Sequence, residues 1–487
     1  MCEQDFDSLL QNSLPELPPD DVVAEVTPWR SAMNRALFGL ALTVVTLNFW
    51  CLNYILPAIG LILSLLGFRT LRRENGWFKS CYVLTLIRAA YFFPTLILNA
   101  TIYQSAAYST PLFQGLTALN LALNLVLIIC LRQGFRAVQQ KAGLPAHTGG
   151  ATALMIWYAL LCALALLQYE GLIIAGFLIV AYICIIRNLF RLSKELDEAG
   201  YAIQAAPVRV PDRALAAGIA AALLIGIACA FLFGSRYPMA WTPVERAGSE
   251  QADAIRENLV SLGFPEAILD DLTEDDLMAC AGAQRVLVQT MDHSLHDDEP
   301  YYKITLHEKT DELRFTGVAV QLPGTPERWK VFHHFQWLAD PGFYGTESIQ
   351  LWPAYSASDA WGAAGNVTGQ VLYDRDGQTF AAPYYELGAQ TYTAESVFFG
   401  EQNRTDMFAA FSLPSAGGNQ RGYLSYTIQK LQDVLVIDSF ANYTHQQTWL
   451  QYPALTAKEQ RMRNIWSTGV FHTVQGELQI WLDKNLP

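Results

Sequence analysis

Residues 36 to 68 read ALFGLALTVVTLNFWCLNYILPAIGLILSLLGF, a run without a single charged residue. A bilayer core needs about 20 apolar residues per helix, so this run is too long for one ordinary span and short for two. Asn53 and Pro57 interrupt its middle, where a tight reversal would bring both ends to the same side of a membrane. The run therefore predicts a hairpin of two short helices.

Further apolar runs follow the hairpin, each close to the length of a membrane span. They lie near residues 80–98, 112–131, 151–168, 172–187 and 214–234. Together with the hairpin they predict an α-helical membrane bundle of about seven spans over residues 36–234, with the lipid bilayer as its partner.

Basic residues flank these spans on one side under the hairpin model. The opposite loops, around Asn53, from Gln104 to Pro111 and from Gln168 to Gly171, carry none. Because Lys and Arg concentrate in cytoplasmic loops, the pattern predicts a plasma-membrane protein with a cytoplasmic N-terminus and an extracytoplasmic C-terminal domain. The basic residues are Arg30, Arg35, Arg69, Arg72, Arg73, Lys79, Arg132, Arg136, Lys141, Arg187, Arg191, Lys194, Arg209 and Arg213.

The first 35 residues form an acidic, Pro-rich segment in which residues 14–21 read LPELPPDD. No basic stretch precedes an apolar core there, so a secretory signal is not predicted. We interpret residues 1–35 as a solvated cytoplasmic tail. The alternative is a docking peptide for a cytoplasmic protein partner.

The charge balance changes at the end of the last apolar run. Up to Ser235 there are 15 basic and 13 acidic residues, and after it 17 basic and 32 acidic residues. A distal half this acidic repels nucleic acid, which is excluded as a partner. Cys280 is its only cysteine, so the distal half has no intradomain disulfide and depends on core burial.

Three polar residues lie inside predicted spans. Arg88 is near the midpoint of its span, and Asn120 and Asn124 are four residues apart near the midpoint of the next one. A charge at that depth is costly and requires a partner, for which the two Asn side chains are candidates. A structural hydrogen-bonded pin, or an Arg88 that snorkels, is the favoured interpretation over a substrate or ion pathway.

Residues 235–284 predict a tether and a short helical neck. Ile255, Leu259 and Leu262 have helical spacing, Pro265 interrupts the run, and Thr273 has the character of a cap for a second helix. The neck either couples the distal domain to the last span or packs against a sheet.

Residues 285–487 predict a mainly-β domain, because short alternating runs are separated by turn residues. An antiparallel sandwich or jelly-roll-like fold is expected, with a last helix from Thr456 and two further strands after it. The predicted strands are 285–291, 301–307, 313–322, 329–338, 367–373, 379–386, 423–429 and 434–440.

Motifs for catalysis are scarce. The sequence has no G-x-S-x-G, no H-E-x-x-H and no phosphate-binding Gly-rich loop. Residues 374–377, DRDG, predict a hairpin turn rather than a calcium loop. His293 and residues 296–299 (HDDE) predict a polar loop rather than a metal site, and His333 and His334 point to opposite faces of a strand. No metal and no cofactor are expected.

Aromatic residues are the more suggestive feature of the distal domain. Trp352, Tyr355 and Trp361 crowd one stretch with Gly and Ser. Exposed aromatic side chains on β-sandwiches stack on sugars or on peptide side chains, although most Trp residues in such a domain belong to the core. These three residues are the candidate ligand-binding group.

Residues 52–78, LNYILPAIGLILSLLGFRTLRRENGWF, resemble the membrane region of uncharacterised multi-pass proteins of Gram-positive bacteria. The resemblance covers about the first hundred residues. It implies a bacterial plasma membrane with the distal domain facing the cell wall, and it implies no activity.

Three functions remain open at this stage. The preferred hypothesis is a non-enzymatic extracytoplasmic domain that senses or binds a cell-wall or peptide ligand. The alternatives are a transporter or channel accessory subunit, and a wall-facing hydrolase that uses distal carboxylates.

Overall fold

The computed structural model separates the chain into two compact units, residues 1–99 with 103–230, and residues 100–102 with 231–487. The residues that the structure describes are 26–44, 51–167, 171–204, 206, 208–245, 249–295, 312–353, 361–396, 400–431, 436–449, 451–463 and 468–481.

The first unit is helical apart from a short antiparallel ladder of two strands, β1 (Val26–Pro28) and β2 (Ala202–Gln204). The helices are α1 (Trp29–Val44), α2 (Leu52–Leu71), α3 (Gly76–Leu98), α4 (Gln104–Tyr108), α5 (Pro111–Lys141), α6 (Gly149–Leu166), α7 (Leu172–Glu198) and α8 (Asp212–Gly234).

The predicted hairpin is present as two helices, α1 and α2. They cross closely at two glycines, because a Cβ on Gly39 would lie 2.4 Å from the carbonyl oxygen of Gly60. Such close backbone approach is typical of helix pairs in membranes. The predicted position of the break was wrong: α2 already begins at Leu52, after Cys51 with φ of 60°. Asn53 and Pro57 both lie inside α2, since membrane helices tolerate an internal proline.

Five helices of the described residues are long and apolar enough to cross a membrane: α2, α3, α5, α7 and α8. The remaining two apolar helices are shorter, because α1 has 16 residues and the apolar part of α6 ends at Leu164. The coarse prediction of a helical membrane bundle is confirmed, and the count of seven spans is not.

The basic residues that flank the helices gather at one end of the bundle. Asp212 at the start of α8 accepts from Arg35 of α1 at 2.9 Å and from Arg69 of α2 at 3.4 Å. Glu74 pairs with Lys141 at the end of α5 at 2.6 Å. Successive helices therefore reverse direction, as the charge pattern of the loops predicts.

The second unit begins with a short strand, β3 (Thr242–Pro243), and a helical neck. The neck consists of α9 (Glu250–Ser261), α10 (Glu266–Leu269) and α11 (Glu274–Met278). Ser249 caps α9 and Thr273 caps α11, as the capping signal at Thr273 predicts. The apolar face of the neck packs on a sheet, where Leu259 and Phe264 are buried together with Phe332.

Eleven further strands of the described residues form two antiparallel sheets together with β3. The seven-stranded sheet has the order β3-β9-β8-β12-β6-β5-β4, and the five-stranded sheet has the order β10-β11-β7-β13-β14. The strands are β4 (Arg285–His293), β5 (Leu313–Leu322), β6 (Arg328–Trp337), β7 (Glu347–Pro353), β8 (Trp361–Arg375), β9 (Gln378–Pro383), β10 (Glu386–Ser396), β11 (Gly400–Phe411), β12 (Gly418–Lys430), β13 (Val436–Gln446) and β14 (Phe471–Trp481).

The main core of the β domain lies between the two sheets. Phe335 of the seven-stranded sheet packs against Phe411 and Tyr443 of the five-stranded sheet, with ring centroids 5.5 and 5.1 Å apart. Aromatic pairs at such distances add to the stabilisation from buried area. The predicted mainly-β domain is therefore confirmed as an antiparallel β region with two sheets face to face.

Several local predictions in this domain are confirmed. Residues 374–377 form a hairpin turn, in which Arg375 pairs with Gln378 and both Asp376 and Gly377 have positive φ. A last helix, α12 (Ala457–Met462), begins after Thr456, which forms a capping box with Glu459. The predicted strand 301–307 lies outside the described residues.

Candidate functional site

The three predicted aromatic residues have different surroundings. Trp361 is 4% exposed and belongs to the core between the sheets, so it presents no exposed ring. Trp352 is half-buried on β7 and stacks on Phe440 of β13, with ring centroids 5.7 Å apart and an interplanar angle of 22°. Tyr355 lies outside the described residues.

Trp352 lies on the outer face of the five-stranded sheet. Side chains alternate between the faces of a strand, so Gln350 and Trp352 of β7 share a face. In the antiparallel register Phe440 pairs with Trp352, and Asn442 pairs with Gln350. The four side chains, two aromatic and two amide, therefore form one patch. This patch lies on the opposite side of the sheet from Tyr443, which points into the core.

A buried polar network continues this patch across four strands, β7, β10, β11 and β13, and helix α12. The Gln350 amide nitrogen donates to the hydroxyl of Tyr392 at 2.9 Å and to the Oδ2 of Asp406 at 2.6 Å. The Gln350 carbonyl oxygen accepts from Asn442 at 3.2 Å and from the Nε of Arg461 at 2.6 Å. We call these residues the outer-face cluster: Gln350, Tyr392, Asp406, Asn442 and Arg461.

Helix α12 holds Arg461 over the sheet. The backbone nitrogen of Ala457 donates to the hydroxyl of Thr346 at 3.0 Å, which fixes the first turn of the helix beside β7. Burial lowers the pKa of Arg461, and the negative charge of Asp406 acts in the opposite direction. Burial also raises the pKa of Tyr392, which donates to Asp406 at 2.6 Å. The cluster thus keeps a cation, Arg461, and an anion, Asp406, in a site that is shielded from water.

Two polar atoms of this face have no hydrogen-bond partner among the residues that the structure describes. They are the Nε1 of Trp352, a donor, and the Oδ1 of Asn442, an acceptor, and both are buried. Buried polar atoms are normally paired, because an unpaired one costs about 1–3 kcal/mol. The side chain of Asn442 is fully buried. The outer face therefore presents an unpaired donor and an unpaired acceptor on neighbouring strands.

The sequence did not predict a role for the amide residues of the outer-face cluster. Polar residues alternate along residues 348–352 and 440–444, which is the signal for a polar sheet face. The two segments are distant in the sequence, however, and the alternation does not reveal that β7 and β13 are neighbours.

The predicted intramembrane residues come from two adjacent helices. Arg88 lies in the middle of α3 and is half-buried, Asn120 is half-buried on α5, and Asn124 is 7% exposed one turn further along α5. Asn124 bonds to the hydroxyl of Tyr158 on α6, and Arg88 interacts electrostatically with the same Tyr158. Tyr158 was not predicted, because a tyrosine in an apolar run carries no distinguishing signal.

Two adjacent histidines of the β domain bond to neighbouring protein side chains. The side chains of His333 and His334 point to opposite faces, as predicted: His333 bonds to Ser439 at 2.7 Å in the core, and His334 bonds to Asp271 of the neck at 2.9 Å. His293 ends β4, and residues 296–299 lie outside the described residues. Among the residues that the structure describes, no three His, Cys, Asp or Glu side chains are placed to hold a metal ion.

The fold defines a protein with several helices able to cross a membrane, followed by an antiparallel β domain with a helical neck. No protein-family model matches the chain, and no curated protein matches its sequence. Function has to be inferred from the geometry of the chain itself.

Proposed function

We propose that this chain is a multi-pass membrane protein whose β domain binds a polyhydroxylated ligand, such as a cell-wall glycan, without catalysing a reaction on it. The observation that carries the proposal is the unpaired donor and acceptor, Trp352 Nε1 and Asn442 Oδ1, on neighbouring strands of the outer face. A hydroxyl group both donates and accepts hydrogen bonds, so a ligand with several hydroxyl groups offers a partner to each of the two atoms.

The neighbouring side chains fit the same ligand class. The stacked rings of Trp352 and Phe440 provide an apolar surface for the C–H face of a sugar ring. Both unpaired atoms are covered by protein, so binding requires that the cover be displaced.

The proposed topology has seven spans, with the N-terminus in the cytoplasm and the β domain facing the cell wall of a bacterium. It is supported by the basic residues that gather at one end of the bundle, since Lys and Arg concentrate on the cytoplasmic side. The shorter helices α1 and α6 then cross the membrane as well, which raises the number of spans from five to seven. Ligand binding outside would be passed through the bundle to the acidic N-terminal tail and its cytoplasmic partner.

A transporter or channel accessory subunit is the second candidate function. One observation favours it: a cation, an amide and a phenol meet inside the membrane unit at Arg88, Asn124 and Tyr158. The β domain would then serve as a ligand-responsive regulator of that unit.

Replacing Trp352 by alanine is expected to weaken glycan binding at least tenfold, because the variant loses both the stacking surface and the indole donor. The measurement is isothermal titration calorimetry of the purified full-length protein with soluble cell-wall glycan fragments. Short peptides are titrated in a parallel experiment. Asn442→Leu should weaken glycan binding to a similar extent, since it removes the acceptor.

The matched control is Trp449→Ala, which removes a tryptophan that is 57% exposed elsewhere in the domain. Its affinity for the glycan should equal that of the wild type. Absence of binding by the folded wild type, or equal losses for Trp352→Ala and Trp449→Ala, would overturn the proposed site. Binding of peptides alone would retain the site and change its ligand class.

A further inference from the structure

Arg88 forms no ion pair with a carboxylate of the described residues. It lies at the thirteenth of the 23 residues of α3, and the sequences of α3, α5 and α6 contain no Asp or Glu. The described acidic residues of the first unit lie at the basic end of the bundle or in the last turns of α7, as Glu74, Asp197 and Asp212 illustrate. A guanidinium is costly in the bilayer interior and normally has a partner there.

The described neighbour of Arg88 is a neutral phenol. Its Nε is buried and has no hydrogen-bond partner within the described residues. Its electrostatic neighbour is the hydroxyl of Tyr158, which is also bonded to the buried amide of Asn124. Guanidinium, phenol and carboxamide groups all offer N–H or O–H donors, so three donor side chains meet at one depth in the membrane unit.

Two further polar pairs form a discontinuous line between the depth of Arg88 and one end of the bundle. Tyr91, one turn beyond Arg88 on α3, bonds to Thr117 of α5 at 3.0 Å. Tyr108 at the end of α4 donates to the Oδ1 of Asn99 just after α3. Because the end of α3 lies opposite the basic end of the bundle, the line runs from that far end down the seam between α3 and α5 to Arg88.

The seam is flanked by apolar side chains that are open to the surroundings. Leu86 and Ile87 of α3 are 40% and 46% exposed, and Val126 of α5 is 43% exposed. In a membrane these side chains face lipid chains. An occupant of the seam would therefore have its polar group against Arg88 and its apolar part in the hydrocarbon.

We propose that Arg88, Tyr158 and Asn124 form an intramembrane site for the anionic group of a tailed ligand, a carboxylate or a phosphate carried by an acyl or prenyl chain. The anion supplies the negative charge that the three helices lack. Guanidinium groups bind both carboxylates and phosphates through paired N–H donors, and Tyr158 and Asn124 add further donors. The far-end line of hydroxyl and amide groups provides a polar path for the anionic group on its way to Arg88.

The test is a binding titration with the purified full-length protein in an uncharged detergent. The probes are oleate and phosphatidate, with acetate and inorganic phosphate as their tail-free counterparts. Binding of oleate or phosphatidate should weaken at least tenfold in Arg88→Gln and recover in Arg88→Lys. Asn124→Ala and Tyr158→Phe, which are less disruptive to folding, should each weaken it severalfold.

The control is Arg73→Gln, which removes an exposed charge in the turn after α2 and should leave binding unchanged. Preference for oleate over phosphatidate, or the reverse, identifies the source of the anion. Equal binding of acetate or inorganic phosphate would overturn the requirement for a tail. Failure of all four anions to bind, or unchanged binding in all three site variants, would overturn the site and leave Arg88 as a residue that snorkels to the surface.

Discussion

Replacing Asp276 by alanine is expected to lower the free energy of unfolding of the β domain by about 3–5 kcal/mol, because it leaves a buried lysine without its counter-ion. Asp276 of α11 is 3% exposed, and its Oδ1 accepts from the Nζ of Lys330 on β6 at 3.0 Å. The same carboxylate accepts from the hydroxyls of Thr368 at 2.6 Å and Tyr423 at 2.7 Å. The carboxylate of this neck residue therefore bonds to side chains from three strands of the sheet.

The pKa of Asp276 agrees with this assignment. Burial alone would raise it, but the charge of Lys330 and the hydrogen bonds from Thr368 and Tyr423 outweigh burial, and the pKa lies below its ordinary value. The carboxylate is therefore ionised in the folded protein at neutral pH. Removal of the negative charge exposes the full desolvation cost of Lys330.

Urea unfolding of residues 237–487, which contain the main core of the domain, measures the effect, with a fall in Tm of roughly 10 °C as the thermal counterpart. The matched control is Arg375→Gln, since Arg375 pairs with Asp376 at 3.3 Å with side chains 54% and 89% exposed. It should change stability by less than about 1 kcal/mol. A loss of similar size in both variants would contradict the assignment.

A double variant separates the contribution of the ion pair to stability from that of the hydrogen bonds around it. Asp276→Leu combined with Lys330→Met removes both charges and keeps the volume, so it should recover most of the stability that Asp276→Ala loses. Failure to recover would indicate that the hydrogen bonds of Thr368 and Tyr423, rather than the ion pair, hold the neck on the sheet.

A second ionic group attaches the neck to two interior strands of the same sheet, β6 and β12. Asp271 accepts from His334 at 2.9 Å and from the Nε of Arg421 at 2.8 Å, and Arg421 also donates to Asp374 at 3.0 Å. The neck is therefore fixed on the outer face of the seven-stranded sheet by an apolar patch and by two ionic groups. Of the two possibilities open from the sequence, packing against the sheet is the one that these contacts support.

The parts of the fold that were predictable are those specified by local chemistry. The reversal between α1 and α2 follows from the length of an uncharged run, and the neck helix α11 follows from the capping residue Thr273. The turn at Asp376 and Gly377 follows from the positive φ that its residues tolerate. Each of these signals lies within a few residues of the structure that it specifies.

The strands that escaped prediction carry polar residues on an outer face. β10 (ELGAQTYTAES) and β11 (GEQNRTDMFAAF) have weak apolar alternation, because one of their faces supports the outer-face cluster. β7 is short and ends at a proline. β10 and β11 pair with each other, but the pairing of β7 with β11 and β13 joins distant segments, and no local pattern reveals that register.

The same reason explains what was missed in the candidate sites. Trp352 was found because tryptophan is conspicuous in a Gly- and Ser-rich stretch, whereas Gln350 and Asn442 acquire their role only when β7 pairs with β13. Arg88 was conspicuous as a charge in an apolar run. Tyr158 became recognisable only when α6 was placed beside α3.

Lowering the pH from 7 to 5 is expected to destabilise the β domain by about 2 kcal/mol through His333 alone. His333 lies between the sheets, 3% exposed, with its Nε2 bonded to the hydroxyl of Ser439 at 2.7 Å. Burial lowers the pKa of His333 from 6.5 to about 3. The folded protein therefore keeps this imidazole neutral at pH 5, whereas the unfolded chain protonates it.

The sign of the effect follows from proton uptake. As the pH falls below 6.5, the unfolded state binds a proton that the folded state does not, so stability is lost progressively down to the folded pKa of about 3. The full shift corresponds to about 5 kcal/mol. The contribution of His333 to stability is complete above pH 6.5.

The variant His333→Gln isolates this contribution, because its amide can still bond to Ser439 but does not titrate. Urea unfolding at pH 7 and pH 5 should show a stability loss smaller by about 2 kcal/mol in the variant than in the wild type. His147→Gln, which changes an exposed histidine before α6, is the control in the full-length protein and should keep the wild-type pH dependence. Equal pH dependence in His333→Gln and the wild type would mean that the core admits the charged imidazole, and that the contact with Ser439 is open to water.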